Sequence, residues 1–174
     1  MTSFIEEKLI EHITNTSFSD LNAETVSSCK KLIIDSVGVM FPGSQAPGCP
    51  ETVALAHSWP CPSGSSILIH GFSTTPPMAA MVNSTMMHAL DFDDTLDDSA
   101  LHTCVTTLPA ALSVAEKQDA VSGKDLIAAV CLGADIICRL SLAIDRPLSW
   151  IRTATCGGFG AAATASKIMG LTGE

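Results

Sequence analysis

Apolar residues recur at intervals of three or four positions over most of this chain, which is the spacing of one face of an α-helix. The first such stretch follows Ser3 and Glu6, which have the spacing of a capping box, and it predicts a helix to about Thr14. Asn22 is a favourable N-cap for a second helix, which proline and glycine end at 41–43. The apolar face of this second helix comprises Val26, Cys29, Ile33, Val37 and Met40.

The rest of the chain predicts further helices separated by proline and glycine. Pro76 and Pro109 suit helix starts, Ser122 with Asp125 forms another capping box, and Gly170 is placed as a C-cap. Helices are predicted over 51–59, 76–90, 109–116, 126–144 and 157–169, and a short strand over 65–70. The predicted fold class is all-α, a helical bundle-like domain with at most one short strand.

The glycine-rich run 157–160 lies at the start of the last predicted helix. It is not a dinucleotide-binding fingerprint, because no strand precedes it and no acidic ribose partner follows it within a βαβ unit. Glycine has no side chain and lets two backbones approach closely. We therefore expect these glycines to serve helix packing.

Composition and charge narrow the classes of function. The chain has 174 residues, of which 47% are hydrophobic, which is enough for one domain with a core. Its net charge is -9 with nine Lys and Arg scattered along the chain, so binding to nucleic acid or to an anionic membrane is not expected. No apolar run reaches the roughly 18 to 20 residues that span a bilayer. Acidic residues stand near the N-terminus where a targeting peptide would be basic, so a cytoplasmic protein is predicted.

The use of cysteine agrees with that compartment. The seven cysteines form no CxxC pair, and several of them lie in apolar helical runs. Most are therefore predicted to be small buried side chains in a reducing environment.

Residues 88–102 are the strongest candidates for chemistry. They include His88, Asp91, Asp93, Asp94, Asp97, Asp98 and His102. The predicted helix 76–90 brings these carboxylates to its own C-terminal end, where the helix dipole disfavours negative charge, so stability alone does not explain them. A carboxylate near an imidazole is the minimum equipment for moving a proton beside a carboxylate group. The cluster therefore indicates acid–base catalysis.

Other interpretations of this cluster are open from the residues alone. A run of acidic residues is more often a solvated loop, and His88, on an apolar helix, is more often a satisfied core residue than a catalyst. The spacing fits no HExxH, EF-hand or other ligand template, so no metal site is predicted. Cys104 follows His102 by two residues, and neighbouring loop residues rarely face each other, so a thiol nucleophile is not expected.

The sequence around this cluster resembles the MmgE/PrpD family. The resemblance is carried by Met81-Val82-Asn83-Ser84, His88-Ala89-Leu90-Asp91-Phe92-Asp93-Asp94-Thr95, Leu101-His102 and Leu108-Pro109-Ala110-Ala111. It extends to 31–38, to 122–140 and to 155–163, and so covers nearly the whole chain. It implies that 1–174 is an incomplete helical domain of an enzyme whose active site also needs a smaller α+β lid domain.

The resemblance also implies an activity. The family includes 2-methylcitrate dehydratase, cis-aconitate decarboxylase and an iminodisuccinate epimerase, which move a proton at a carbon beside a carboxylate without an organic cofactor. By resemblance Asp91 and His102 are the catalytic residues, and Asp94, Thr95 and His88 are candidate substrate-binding residues. The implied partners are a small polycarboxylic acid and, because family members dimerise through this domain, a second copy of the chain. No cofactor and no metal are expected.

Departures from the family pattern bear on the activity. His102-Thr103-Cys104 stands where many members have His-Pro-Gly, and Ile151 stands where a second active-site histidine often follows a residue such as Trp150. The lid domain, which supplies anion-binding lysines in the family, is expected to be missing from 1–174. Three functions are therefore compared: a lyase for citrate-like or aconitate-like acids, an inactive truncated paralogue that acts through dimerisation, and an epimerase or isomerase on the same scaffold.

Overall fold

The computed structural model describes residues 4–173 and shows a mostly helical domain. Its elements are α1 (Phe4–Asn15), α2 (Ala23–Gly43), α3 (Cys49–His57), β1 (Pro60–Ile67), β2 (Phe72–Thr74), α4 (Pro76–His88), α5 (Cys104–Ala115), α6 (Gly123–Leu142) and α7 (Arg152–Met169). Short 3-10 turns span Phe18–Asp20 and Asp97–Ser99. The predicted helical class is confirmed, whereas Ser3, half of the first predicted capping box, lies outside the described residues. None of the helices within 4–173 combines the length and the apolar character needed to cross a bilayer.

The helix caps predicted from the sequence form in the structure. Asn22 Oδ1 accepts a hydrogen bond from the backbone N–H of Thr25 at 2.8 Å and begins α2. At the start of α6, Ser122 Oγ accepts from the N–H of Asp125 at 3.3 Å, and the Asp125 carboxylate accepts from the N–H of Ser122 at 3.0 Å. Gly170 ends α7 in the left-handed conformation, with φ at 64°. Each cap satisfies a backbone group that its helix leaves unpaired.

The prediction of at most one short strand needs a correction, because β1 and β2 pair into an antiparallel hairpin. The predicted strand 65–70 ends at Ile67, and the chain then reverses through residues with positive φ at Ile69 and Gly71. The Asn83 side chain of α4 accepts from the N–H of Leu68 at 3.0 Å and donates to the carbonyl of Ser66 at 2.9 Å. This long-range contact holds the hairpin on α4, and the local sequence pattern carries no sign of it.

The start of α5 also differs from the prediction. The helix begins at Cys104 rather than at Pro109, which lies inside it. Proline within a helix removes one backbone hydrogen bond and costs about 3 kcal/mol when nothing replaces that bond. Pro109 has no N–H to donate to the carbonyl of Val105, four residues earlier. Here Ser84 Oγ of α4 donates a hydrogen bond to that carbonyl instead, at 2.8 Å. The helix therefore continues through the proline.

The core lies among α2 and the helices that follow the hairpin, with α5 packed against α4, α6 and α7. Its buried side chains are small or flexible and aliphatic, as the composition predicts; they include Met40, Met78, Val82, Met86, Met87, Val105, Leu108 and Val130. A smaller cluster of Leu101, Ile137 and Cys156 joins the segment before α5 to α6 and α7. The segment between α4 and α5 is thus fixed on a packed helical base.

Two glycines let α6 and α7 cross closely. A Cβ added at Gly133 would lie 1.9 Å from Thr164 Oγ1, and one at Gly160 would lie 3.0 Å from the Gly133 carbonyl oxygen. Thr164 is fully buried and its hydroxyl donates to a backbone carbonyl of α6, so it has no room to move aside. A Cβ at Gly157 would lie 2.5 Å from a threonine methyl of α5, whereas one at Gly158 would meet nothing within 4 Å. The predicted packing role is confirmed for Gly157 and Gly160.

We expect Gly133→Ala to lower the free energy of unfolding by about 1–3 kcal/mol, because the new methyl group overlaps Thr164 and the backbones must separate. Gly158→Ala is the matched control: its methyl group enters open space on an exposed helix face and should raise stability by roughly 0.5–1 kcal/mol. Urea unfolding followed by circular dichroism measures both. Equal effects of the two substitutions would contradict the close crossing of α6 and α7.

Candidate active site

The candidate residues lie at the end of α4 and in the loop 89–103, which joins α4 to α5. His88 is the last residue of α4, and His102 lies two residues before α5 begins. The loop folds back on itself, since Leu96 and Leu101 pair in an isolated antiparallel bridge. As a result, the two imidazole rings lie edge to face with their centroids 4.7 Å apart.

His102 lies between two carboxylates that differ in exposure. Its Nε2 is 3.4 Å from Oδ1 of Asp91, and its Nδ1 is 3.4 Å from Oδ2 of Asp93. The Asp91 side chain is 78% exposed and that of His102 is 16% exposed, whereas the Asp93 side chain is fully buried. The structure therefore brings the two predicted catalytic residues together, with Asp91 on the solvent side of the ring.

Asp91 has a left-handed backbone conformation, with φ at 56°. Residues other than glycine rarely adopt it, although Asp and Asn tolerate it better than most. The N–H of Asp91 donates to the carbonyl of His88 at 3.1 Å and closes the turn after α4. This turn redirects the chain so that Asp93 returns to both histidines. Asn is therefore the replacement for Asp91 that disturbs the backbone least.

Asp93 is the member of the site to which the sequence analysis assigned no role. Its two carboxylate oxygens each lie 3.0 Å from Nδ1 of His88, which donates to them, and one of them also faces His102. Among residues 4–173, no Lys or Arg forms an ion pair with this buried carboxylate. Burying an unpaired carboxylate is costly, so the two imidazoles are its compensating partners. The sequence motif contains both Asp93 and Asp91, but only the fold shows that Asp93 is buried and Asp91 is exposed.

Asp94 and Thr95, both predicted to bind substrate, lie beside this cluster. The Asp94 carboxylate accepts from the N–H of Thr103 at 3.0 Å, from the Thr103 hydroxyl, and from the N–H of Cys104 at 2.9 Å. It thus caps the start of α5 from a distance in sequence. The exposed Thr95 donates its hydroxyl to the carbonyl of Asp93 at 3.4 Å. The contribution of these two residues to substrate binding stays a prediction.

A cavity of about 400 Å³ opens beside His88, between α4, α5 and the start of α7. Its lining includes Ser84, Thr85, His88, Val105, Ile151 and Thr153. Thr153 Oγ1 accepts a hydrogen bond from the N–H of His102 at 3.1 Å, a contact that the sequence analysis missed. Ile151 gives this cavity an apolar wall at the position where the family pattern often has histidine. The cavity therefore reaches His88, whereas Asp91 and His102 are not among its lining residues.

The Cys104 thiol is not placed for nucleophilic chemistry. Cys104 is fully buried at the start of α5. Burial and, after it, the charge of Asp94 raise the pKa of the Cys104 thiol to about 12. The thiol is therefore protonated near neutral pH, in agreement with the expectation that it is not a nucleophile.

Four side chains of the site have the arrangement of potential metal ligands. His88, Asp91, Asp93 and His102 each offer one ligand atom, and these four atoms lie within 4.8 Å of one another. No such set was predicted, because their spacing along the chain matches no ligand template.

Comparison with known proteins assigns the chain to a family. The family model of the MmgE/PrpD N-terminal domain matches residues 7–174. The chain belongs to the MmgE/PrpD family. The resemblance seen in the motif around Asp91 and His102 is thereby confirmed, and the match includes all of the site described above.

Similar MmgE/PrpD proteins include several cis-aconitate decarboxylases. The enzyme of Aspergillus terreus is 26% identical over 178 residues, an alignment that covers 98% of this chain and 36% of the relative. Those of Homo sapiens and Mus musculus are both 29% identical, and each alignment covers 99% of this chain and 37% of the relative. The chain thus spans little more than a third of the length of these relatives.

We expect Asp94→Ala to destabilise the protein by about 1–3 kcal/mol, because the N–H groups of Thr103 and Cys104 lose their acceptor where water reaches them poorly. Asp98→Ala is the control, since it removes the same charge from an exposed position of the same loop. Urea unfolding curves of the two variants give the comparison. A loss of stability in Asp98→Ala as large as in Asp94→Ala would argue against the capping role.

Proposed function

We propose that this chain is the helical domain of a lyase that dehydrates or decarboxylates small polycarboxylic acids of the citrate or aconitate type by acid–base chemistry. The observation that carries the proposal is the imidazole of His102 between exposed Asp91 and buried Asp93. Membership of the MmgE/PrpD family supports it, as do the relatives named cis-aconitate decarboxylase.

In this proposal His102 transfers a proton through its Nε2. The buried carboxylate of Asp93 lies 3.4 Å from Nδ1, so Nε2, on the other side of the ring, is the nitrogen that faces Asp91 and can exchange a proton with a substrate. The backbone of His102 is fixed through its hydrogen bond to Thr153. Asp93 and Thr153 are therefore positioning residues, and the ring presents Nε2 toward solvent and toward Asp91.

Asp91 and His102 divide the proton transfers. In a dehydration the base removes a proton from the carbon beside a substrate carboxylate, and its partner protonates the departing hydroxyl group, which leaves as water. In a decarboxylation no C–H bond breaks: the bond to carbon dioxide breaks, its electron pair stays on the substrate, and the acid delivers one proton to carbon. Dehydration therefore uses both groups, whereas decarboxylation needs only the acid.

The charge of the site limits how well this domain binds such acids by itself. Asp91, Asp93 and Asp94 repel a polycarboxylate, and within residues 4–173 no Lys or Arg is ion-paired to any of them. Recognition of a carboxylate depends on cationic donors such as Arg. We therefore expect weak binding of citrate-like acids by this chain alone, with cations needed from elsewhere in a complete enzyme.

The first test is a proton NMR time course of the purified protein in D2O with cis-aconitate, citrate and 2-methylcitrate. We expect slow product formation, and we expect His102→Ala to lower the rate by at least about 10²-fold, the typical contribution of a general acid or base. Asp91→Asn should lower the rate similarly, because it removes the carboxylate that transfers the proton. Asn tolerates the left-handed backbone conformation of this position, so the loop should keep its shape. The thermal midpoint of Asp91→Asn should stay close to that of the unchanged protein, because Asp91 is exposed, whereas that of His102→Ala should fall, because buried Asp93 loses one of its two imidazole partners. Circular dichroism at the assay temperature checks that His102→Ala is folded.

The same time course distinguishes the alternatives. Full activity in His102→Ala would refute the assigned chemistry, and Asp98→Asn, a charge change at an exposed position of the loop, serves as the control. Exchange of substrate hydrogen for deuterium without loss of water or carbon dioxide would indicate an epimerase or isomerase instead. A folded protein without any turnover would favour a non-catalytic role.

We infer a non-catalytic, dimerising paralogue as the second candidate function. It is supported by the isoleucine at position 151 and by large apolar side chains that are exposed on this chain, among them Trp150, Ile151 and Phe159. If this role is correct, size-exclusion chromatography with light scattering should give the mass of a dimer, and Phe159→Ser should weaken the association. A monomer at all concentrations would contradict the dimerising role.

A further inference from the structure

The four potential ligands at the site come from the end of α4 and from both ends of the loop 89–103. His88 ends α4, Asp91 and Asp93 follow in the loop, and His102 precedes α5. The donors of a tetrahedral zinc site lie roughly 3.3–3.6 Å apart, given metal–ligand distances of about 2.0–2.2 Å. In this protein one ligand atom from each of the four residues can be chosen so that all four lie within 4.8 Å of one another. His102 can offer only one nitrogen to an ion, because its Nε2 faces Asp91 and its Nδ1 faces Asp93, each at 3.4 Å. The widest separation exceeds a tetrahedral edge by about 1 Å, so small side-chain rotations would close the cluster around one ion.

Two features of the cluster favour a cation. The Nδ1 atom of His102 is buried and makes no hydrogen bond, although Asp93 Oδ2 lies 3.4 Å away. The Asp93 carboxylate is fully buried, and among residues 4–173 it is held by imidazoles and by no Lys or Arg. Both the unpaired ring nitrogen and this buried anion gain from a cation placed between them.

We propose that His88, Asp91, Asp93 and His102 bind one divalent transition-metal ion of the zinc class. Two imidazole nitrogens and two carboxylate oxygens suit zinc, which takes nitrogen and oxygen ligands in a tetrahedral arrangement. Magnesium and calcium take oxygen ligands almost exclusively, so the histidines select against them. Exposed Asp91 leaves an entry path from solvent, while buried Asp93 fixes the inner side of the site.

Zinc binding requires the four side chains alone and does not depend on the proposed reaction. If the proposed reaction is also correct, metal and proton compete for the same histidine nitrogens, because a ligand imidazole must be deprotonated. Zinc would then block proton transfer by Asp91 and His102. The two proposals can be refuted separately. Zinc binding without turnover would refute the proposed lyase activity, and turnover without zinc binding would refute the proposed metal site.

The test is titration of the chelator-treated protein with Co²⁺, followed by visible absorption, and with Zn²⁺ in competition and in equilibrium dialysis. We expect one ion per chain and the d–d bands of four-coordinate cobalt without the near-ultraviolet band of a cobalt thiolate, which separates this site from the seven cysteines. His102→Asn and Asp91→Asn should each weaken binding by about 10- to 100-fold or more, since even the loss of a residue that only hydrogen-bonds to a metal ligand costs that much.

Asp98→Asn is the matched control, because it removes one negative charge from an exposed position of the same loop and should change the affinity at most a few-fold. Circular dichroism checks the fold of each variant, and if His102→Asn does not fold, Asp91→Asn, whose side chain is exposed, decides the matter. The proposal is overturned if no ion binds at millimolar metal, if a thiolate band appears, if the ligand variants bind like the unchanged protein, or if Asp98→Asn weakens binding equally.

Discussion

The hydrogen bonds of the Asp94 carboxylate to the start of α5 are the constraint on which the candidate site depends. They tie the loop 89–103 to the first backbone N–H groups of the helix, at Thr103 and Cys104. His102 directly precedes that tie, so its position relative to Asp91 and Asp93 follows from it. The same capping lets α5 begin well before Pro109, where the sequence alone would place its start.

The helices beneath this loop hold its geometry. Ser84 of α4 bonds the carbonyl that Pro109 leaves free, and the glycines of α6 and α7 allow those helices to cross at close range. Thr153, near the start of α7, holds the backbone of His102. The ring of His88 at the end of α4 and the hydroxyl of Thr153 in α7 therefore both contact His102, so two rigid helices fix its position.

The charge of the site connects its proposed properties. Three carboxylates and two imidazoles lie together, and within residues 4–173 no Lys or Arg is ion-paired to them. Such a concentration of carboxylates attracts cations and repels anionic acids. The proposed acid–base chemistry, the proposed zinc binding and the expected weak binding of free polycarboxylates all rest on this one arrangement. The chain spans 36–37% of the length of its decarboxylase relatives.

The sequence by itself determined the features that depend on neighbouring residues. Helical periodicity and the caps at Asn22, Ser122 and Gly170 placed most of the helices, because capping and amphipathic spacing are local. The motif around Asp91 and His102 also indicated the family and the pair that the fold brings together. The tertiary structure decided what depends on distant partners: the hairpin held by Asn83, the early start of α5, and the burial that separates Asp93 from Asp91. Burial and long-range hydrogen bonds arise only when segments pack, so no spacing along the chain could have assigned Asp93 its place between two histidines.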